Sequence, residues 1–188
     1  MDPVKFVDSL DEKKHVVLVY DDQSFGKMIQ YRFINNGLMK GENCIYLTHG
    51  DPNIIKNEMD ESGVDVNNFV QKDLLHILQI SSPEKDPKGI LVGVENIIKQ
   101  ATAYKKPPYR MVGRMMPNIR TAEAMSVQIA IERMAHATFE NLNSTVLCTY
   151  DLNEFPANDY KMWLGRLCSY QHAAIVSTRS GTAMANYL

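Results

Sequence analysis

Residues able to do chemistry first appear where the apolar run His15-Val16-Val17-Leu18-Val19-Tyr20 gives way to Asp21-Asp22-Gln23-Ser24-Phe25-Gly26-Lys27-Met28 and then to a helical pattern. A phosphate loop of the form G-x-x-x-x-G-K-[ST] works because its glycines let consecutive backbone N–H groups curl around phosphates. A lysine and a hydroxyl complete it. Laid on this segment, Gly26 and Lys27 match, Asp21 replaces the first glycine, and Met28 takes the hydroxyl position. Asp21 and Asp22 put carboxylates where a triphosphate's charge would sit, a repulsion of about 1 kcal/mol in water and several at lower effective dielectric. Met28 offers no hard oxygen for magnesium. Lys27 is expected to pair with Asp21 or Asp22, with anion binding as the other reading.

Phosphoryl transfer also needs a strand ending in an acid that holds the magnesium shell. The run Tyr109-Arg110-Met111-Val112-Gly113-Arg114-Met115-Met116 contains no acid, and Asp151 lies one strand later. Catalytic ATP hydrolysis is therefore not expected. In open α/β sheets, ligands bind outside the carboxyl ends of the strands. Those ends carry Tyr20 and Asp21, His49, Arg114, Tyr150 and Asp151. Together with Ser24 and Lys27 from the first loop they form the expected ligand-binding set.

Other reactive residue types read as structural. His136 is expected to cap or snorkel on a helix face, and His172 to hydrogen-bond before the last strand. No H-E-x-x-H or C-x-x-C spacing occurs, so no metal site is expected. Cys44 and Cys148 sit in apolar runs and are expected to act as small hydrophobes. Arg110 and Arg114 have even spacing on one strand, so both should point to one face. Their expected partners are Asp21, Asp22 or Asp151, with an anionic ligand as the alternative. Met111, Met115, Met116, Met125 and Met134 are expected to fill core, although methionine also suits an adaptable apolar pocket.

The elements that must position these residues alternate along the chain. Continuous apolar runs at 15–20, 43–48, 74–80, 109–115, 145–150 and 173–177 read as strands covered on both faces. Helical patterns lie between them at 24–39, 53–62, 89–104, 121–142 and 158–170, preceded by a short amphipathic turn at 4–10. In the helix at 121–142, Ala124, Val127, Ile131 and Met134 are spaced to form an apolar stripe. Asn36-Gly37 and Lys40-Gly41 are read as ending the first long helix, and Gly50-Asp51-Pro52 as starting the next. Residues 179–188 are expected to carry no element. Such alternation predicts an α/β fold in three layers: a mainly parallel sheet of about six strands with helices on both faces.

The 188 residues fit one domain spanning 1–188, with 45% hydrophobic and 22% charged residues. A net charge of −2 argues against a dedicated nucleic-acid binder. No apolar stretch is long enough for a membrane span, and the first residues lack a signal peptide's apolar core, so a cytoplasmic location is expected.

The order strand, Gly26-Lys27 loop, helix, Gly37 to Gly41-Glu42 and Tyr46, then His49-Gly50-Asp51-Pro52 resembles the RecA/KaiC-type P-loop core with an eroded phosphate site. The segment Val146-Leu147-Cys148-Thr149-Tyr150-Asp151-Leu152, with Phe155 and His172, is similar to the MEDS family, the DcmR-type sensory domain of methanogens and methylotrophs. The resemblance covers residues 12–178. It implies a RecA-like P-loop NTPase core with a degenerate Walker A motif, no catalysis and no cofactor. It also implies signal transduction, with hydrocarbon derivatives as ligands. A small organic ligand or a signalling protein is the expected partner, and self-association is expected by analogy. Two alternatives stay open: a KaiC-like binder or weak hydrolase of ATP with magnesium, and a ligand-free scaffold.

Overall fold

A computed structural model describes residues 1–11, 13–138, 141–157, 159–178 and 183–188. Seven strands form one sheet: β1 (His15–Tyr20), β2 (Asn43–Thr48), β3 (Leu75–Gln79), β4 (Tyr109–Gly113), β5 (Ser144–Asp151), β6 (Ala173–Ser177) and β7 (Ala183–Tyr187). Their order is β3-β2-β4-β5-β1-β6-β7. Every pairing is parallel except β6 with β7. The three-layer α/β architecture is as the sequence predicts, with one more strand. β7 escapes a periodicity reading because Ala183-Met184-Ala185-Asn186-Tyr187 has weak apolar alternation and lies at the sheet edge. The tail expected to be featureless therefore closes the sheet from residue 183 on, while 179–182 lie outside the described residues.

One face is covered by α1 (Pro3–Asp8), α2 (Gln23–Met39), α3 (Pro52–Glu61) and α4 (Val66–Gln71), and the other by α5 (Ile90–Thr102), α6 (Ala122–Thr138) and α7 (Tyr160–Cys168). The pleat of β1 divides its residues between them. Val16 and Leu18 enter the α2 side, while Val17 and Val19 enter the α6–α7 side. Leu147 of β5 likewise faces α2, and Cys148 and Tyr150 face α6. Phe139 and Glu140, inside the expected helix at 121–142, lie outside the described residues, as does Asn158, the expected start of the last helix. No helix among the described residues is long and apolar enough to cross a membrane.

Two expectations about glycine and arginine change. Gly37 lies inside α2 rather than ending it; Lys40 is the C-cap and Gly41 follows with a φ of 76°. Gly37 is required for packing, since a Cβ there would come within 2.4 Å of Arg110 Cδ and 2.8 Å of Cys44 Sγ. Arg110 and Arg114 do not share a face. β4 stops at Gly113, where the chain peels away with a φ of 149° and leaves no room for a Cβ beside Leu47. Arg110, fully buried, stacks on Phe33 at 4.7 Å and pairs with Glu42 at 2.6 Å rather than with Asp21, Asp22 or Asp151. Its remaining N–H groups reach the carbonyls of Phe33 and Leu10. A buried guanidinium demands such complete pairing, because an isolated charge loses far more hydration than packing returns.

Candidate functional site

The loop after β1 positions its residues by capping α2. Asp22 is the N-cap, and its carboxylate accepts from the N–H groups of Ser24 at 2.8 Å and Phe25 at 3.3 Å. The amides that would cradle a phosphate are thus held by an internal carboxylate. Gly26 is glycine for a different reason: a Cβ there would sit 2.7 Å from the Tyr20 ring. Lys27 points across to α3 and pairs with Glu58, not with Asp21 or Asp22. Tyr31 donates its hydroxyl to the same carboxylate. Hydrogen bonds and charge from Lys27, with Tyr31, outweigh burial and hold the Glu58 carboxyl below the usual carboxylate range. Ser24 and Lys27 line an α2–α3 groove of about 510 Å³ with Tyr31 and Glu58, whose walls include no strand residue.

At the carboxyl edge of the sheet, Tyr20, His49, Arg114 and Asp151 of the expected set do converge, around a crevice of about 220 Å³ shared with Gln23, Tyr46 and Glu154. Its polar groups are engaged with one another. Arg114 pairs with Glu154 at 2.7 Å and donates to the carbonyls of Met116 and Pro117. Asp151 accepts from Gln23 and from both the backbone and side chain of Asn153. The two ring nitrogens of His49 each lie 3.2 Å from a carbonyl, of Ile80 and of Arg114, so the ring ties β2 to the loops after β3 and β4. Burial pushes its pKa down. Asp21 is not among the crevice walls; its backbone bonds Ser177 and Asn153.

Tyr150, the last of the expected set, points through the opposite face. The parity of β5 sends it, with Cys148, toward α6, where it is fully buried. There it joins a cluster that no local spacing reveals. Glu132 of α6, 2% exposed, accepts from Tyr150 and, at 2.8 Å, from Gln128 on one oxygen. Its other oxygen accepts from Gln171 at 2.9 Å and lies 3.1 Å from His15 Nε2. The same His15 nitrogen is 3.2 Å from Cys148 Sγ. Burial alone would raise the Glu132 carboxyl; hydrogen bonding and charge from His15, with Tyr150 and Gln171, hold it well below its ordinary range. Burial and the Glu132 charge push the Cys148 thiol up, so it stays protonated. His136, expected on a helix face, instead has its ring between those of His15 and His172, with centroids at 6.1 and 4.9 Å. His172 accepts through Nδ1 from the His15 backbone N–H at 2.9 Å, a hydrogen-bonding role in line with its position before β6.

This cluster forms the polar end of a cavity of about 240 Å³ between the sheet and α5–α6. Leu47, Val94, Ile98, Met111, Met115, Ile131, Met134 and Val146 make its walls apolar. Glu95 and Lys99, both largely exposed on α5, mark its mouth. Met111, Met115 and Met134 therefore line a cavity as well as filling core. The missed signal is on α6: its buried stripe runs through Met125, Gln128, Ile131 and Glu132, rotated from the Ala124–Met134 stripe read in the sequence. A glutamine and a glutamate on a buried stripe require partners on the facing strands.

No curated protein matches this chain in sequence. In structure it is similar to the KaiC-like protein PH0186 from the hyperthermophilic archaeon Pyrococcus horikoshii OT3. The TM-score is 0.60 at 16% identity, covering 93% of this chain and 76% of that one. That likeness extends to the RecA-type fold. Residues 14–163 match the sequence model described as MEDS, the methanogen/methylotroph, DcmR sensory domain. Those residues include the Gly26-Lys27 loop, the edge crevice and the whole Glu132 carboxylate with its His15 and Cys148 neighbours, and the chain belongs to the MEDS family.

Proposed function

We propose that this protein is a non-catalytic sensory domain that receives a compact, mainly apolar molecule in the cavity between the sheet and α5–α6. The observation that carries this reading is the cavity itself: apolar walls ending in the polar cluster of His15, Glu132 and Cys148. Its volume exceeds the ~150 Å³ of an apolar cavity able to hold benzene. Apolar walls supply affinity, and a few convergent polar groups supply orientation. The edge crevice supports the reading less, because Arg114 is already paired with Glu154, Asp151 accepts from Gln23 and Asn153, and His49 lies against backbone carbonyls. The family's description as sensory fits a site without a nucleophile poised for attack. Binding would signal by favouring one conformation or assembly, which requires unequal affinity for the two.

The residues of the first loop do not fit a magnesium-bound triphosphate. Asp22 occupies the α2 amides, Lys27 is held by Glu58, and Met28 stands where a metal-binding hydroxyl would be. Thermal unfolding with short-chain alkyl alcohols and thiols, and separately with ATP and magnesium, tests the proposal. A ligand at a hundred times its Kd adds about 2.7 kcal/mol of stability. For a chain of this size that is a rise in Tm of roughly 5–10 °C. The rise should vanish in Ile98→Trp, which fills the cavity. Stabilisation by ATP that disappears in Lys27→Ala would overturn the reading in favour of a nucleotide binder. No stabilisation by any member of either set would leave the scaffold.

A further inference from the structure

We propose that His15, Glu132 and Cys148 form a binding site for a borderline transition-metal ion, zinc(II) in the first instance, whose fourth coordination position opens into the apolar cavity. The donor atoms of the three residues lie within 4.8 Å of one another, all buried. His15 Nε2 is 3.1 Å from a Glu132 oxygen and 3.2 Å from Cys148 Sγ. Tetrahedral zinc with bonds of about 2.0–2.3 Å sets neighbouring donors roughly 3.4–3.6 Å apart. The His15 nitrogen therefore needs to draw back only slightly from each of the other two donors, which lie within 4.8 Å of each other, to admit the ion. One imidazole nitrogen, one carboxylate oxygen and one sulfur suit zinc or cobalt(II) far better than magnesium or calcium.

The surroundings of the carboxylate are those of an oriented ligand. Gln171, Gln128 and Tyr150 donate to Glu132 and hold it toward His15 and Cys148, as outer partners do in metal sites. With Cys148 bound as thiolate, its proton released to solvent, the two anionic ligands neutralise the dication, which removes the cost of burying net charge. All three side chains line the cavity. Three protein ligands with one exchangeable position facing a cavity is the arrangement of zinc sites that bind a small molecule directly. The ligand class narrows accordingly to compact apolar molecules with one soft donor atom, such as an alkyl thiol. This refinement rests on the cavity reading above.

The test adds cobalt(II) alone to the metal-stripped full chain and follows absorption. The expected result is one ion per chain, thiolate-to-cobalt charge transfer in the near ultraviolet, intense visible bands of a four-coordinate ion, and displacement by zinc(II). Cys148→Ser and Glu132→Gln should each bind on the order of 100-fold more weakly or worse, since even outer-partner losses cost ~10–100-fold. Cys168→Ser, a thiol on α7 outside the cluster, should bind like the parent. Circular dichroism of the metal-free variants checks folding, and if Cys148→Ser misfolds the parent spectrum decides. Binding without charge transfer, unchanged binding in folded variants, or no binding overturns the site. Ethanethiol should shift the cobalt bands. Cobalt bound as expected, with ethanethiol neither shifting the bands nor stabilising metal-free protein, removes the cavity reading and leaves the metal site. Ethanethiol stabilising protein that binds no cobalt removes the metal site alone.

Discussion

Arg110 and His49 show how single side chains are committed before any ligand arrives. Arg110 has no exposed surface, and Glu42, only slightly exposed, is its acid. Removing one partner of a buried pair costs ~3–5 kcal/mol, whereas replacing the pair with apolar groups is near neutral. Glu42→Ala should therefore lower unfolding stability by that amount in a urea titration, and the double variant Glu42→Ala/Arg110→Met should recover most of it. A double variant no more stable than the single would show that the charge pair is not the cause. His49 carries the opposite sign of effect. Burial holds its folded pKa below the ordinary imidazole value of 6.5. As pH falls through that value the unfolded chain takes up a proton that the folded chain refuses, so its contribution is present above 6.5 and lost as pH falls toward the folded pKa. Stability measured from pH 7.5 downward should fall less steeply in His49→Gln than in the parent. Equal slopes would remove His49 from the account.

At the scale of elements, α2 explains why a loop with the outline of a phosphate site has different chemistry. Asp22 caps the helix, Gly26 admits the Tyr20 ring, and Lys27 ties α2 to α3 through Glu58. Asp22→Ala should cost ~1 kcal/mol, the usual loss on removing a helix N-cap, measured as a lower thermal midpoint. An unchanged midpoint would mean that water replaces the cap without loss. α6 gives a second lesson. Its polar residues Gln128 and Glu132 lie on the buried stripe with Met125 and Ile131, so its packing depends on matching polar groups on β1, β5 and the segment before β6.

At the scale of the whole molecule, the two ends of the described chain close the α2-side core together. Phe6 of α1 meets Tyr187 of β7 edge-on at 5.3 Å, and the Ala185 N–H donates to the Met1 carbonyl at 3.0 Å. Phe6→Ala should cost ~3–5 kcal/mol, the range for deleting a buried aromatic ring. Removing residues 183–188 should cost at least as much, read from the urea midpoint; a smaller loss would make β7 dispensable. The alternation of apolar runs with helical patterns, written in local sequence, determined six parallel strands and two covered faces, and the first loop shows Met28 at the position of a phosphate loop's hydroxyl. Pleat parity was legible too: Asp151 at the crevice puts Tyr150, one residue earlier on β5, on the opposite face. Only the tertiary structure decided which charges met: Lys27 with Glu58, Arg110 with Glu42, Arg114 with Glu154. It alone gathered His15, Glu132 and Cys148, because β5 lies beside β1 and α6 crosses both, an adjacency set by long-range packing that no local period encodes.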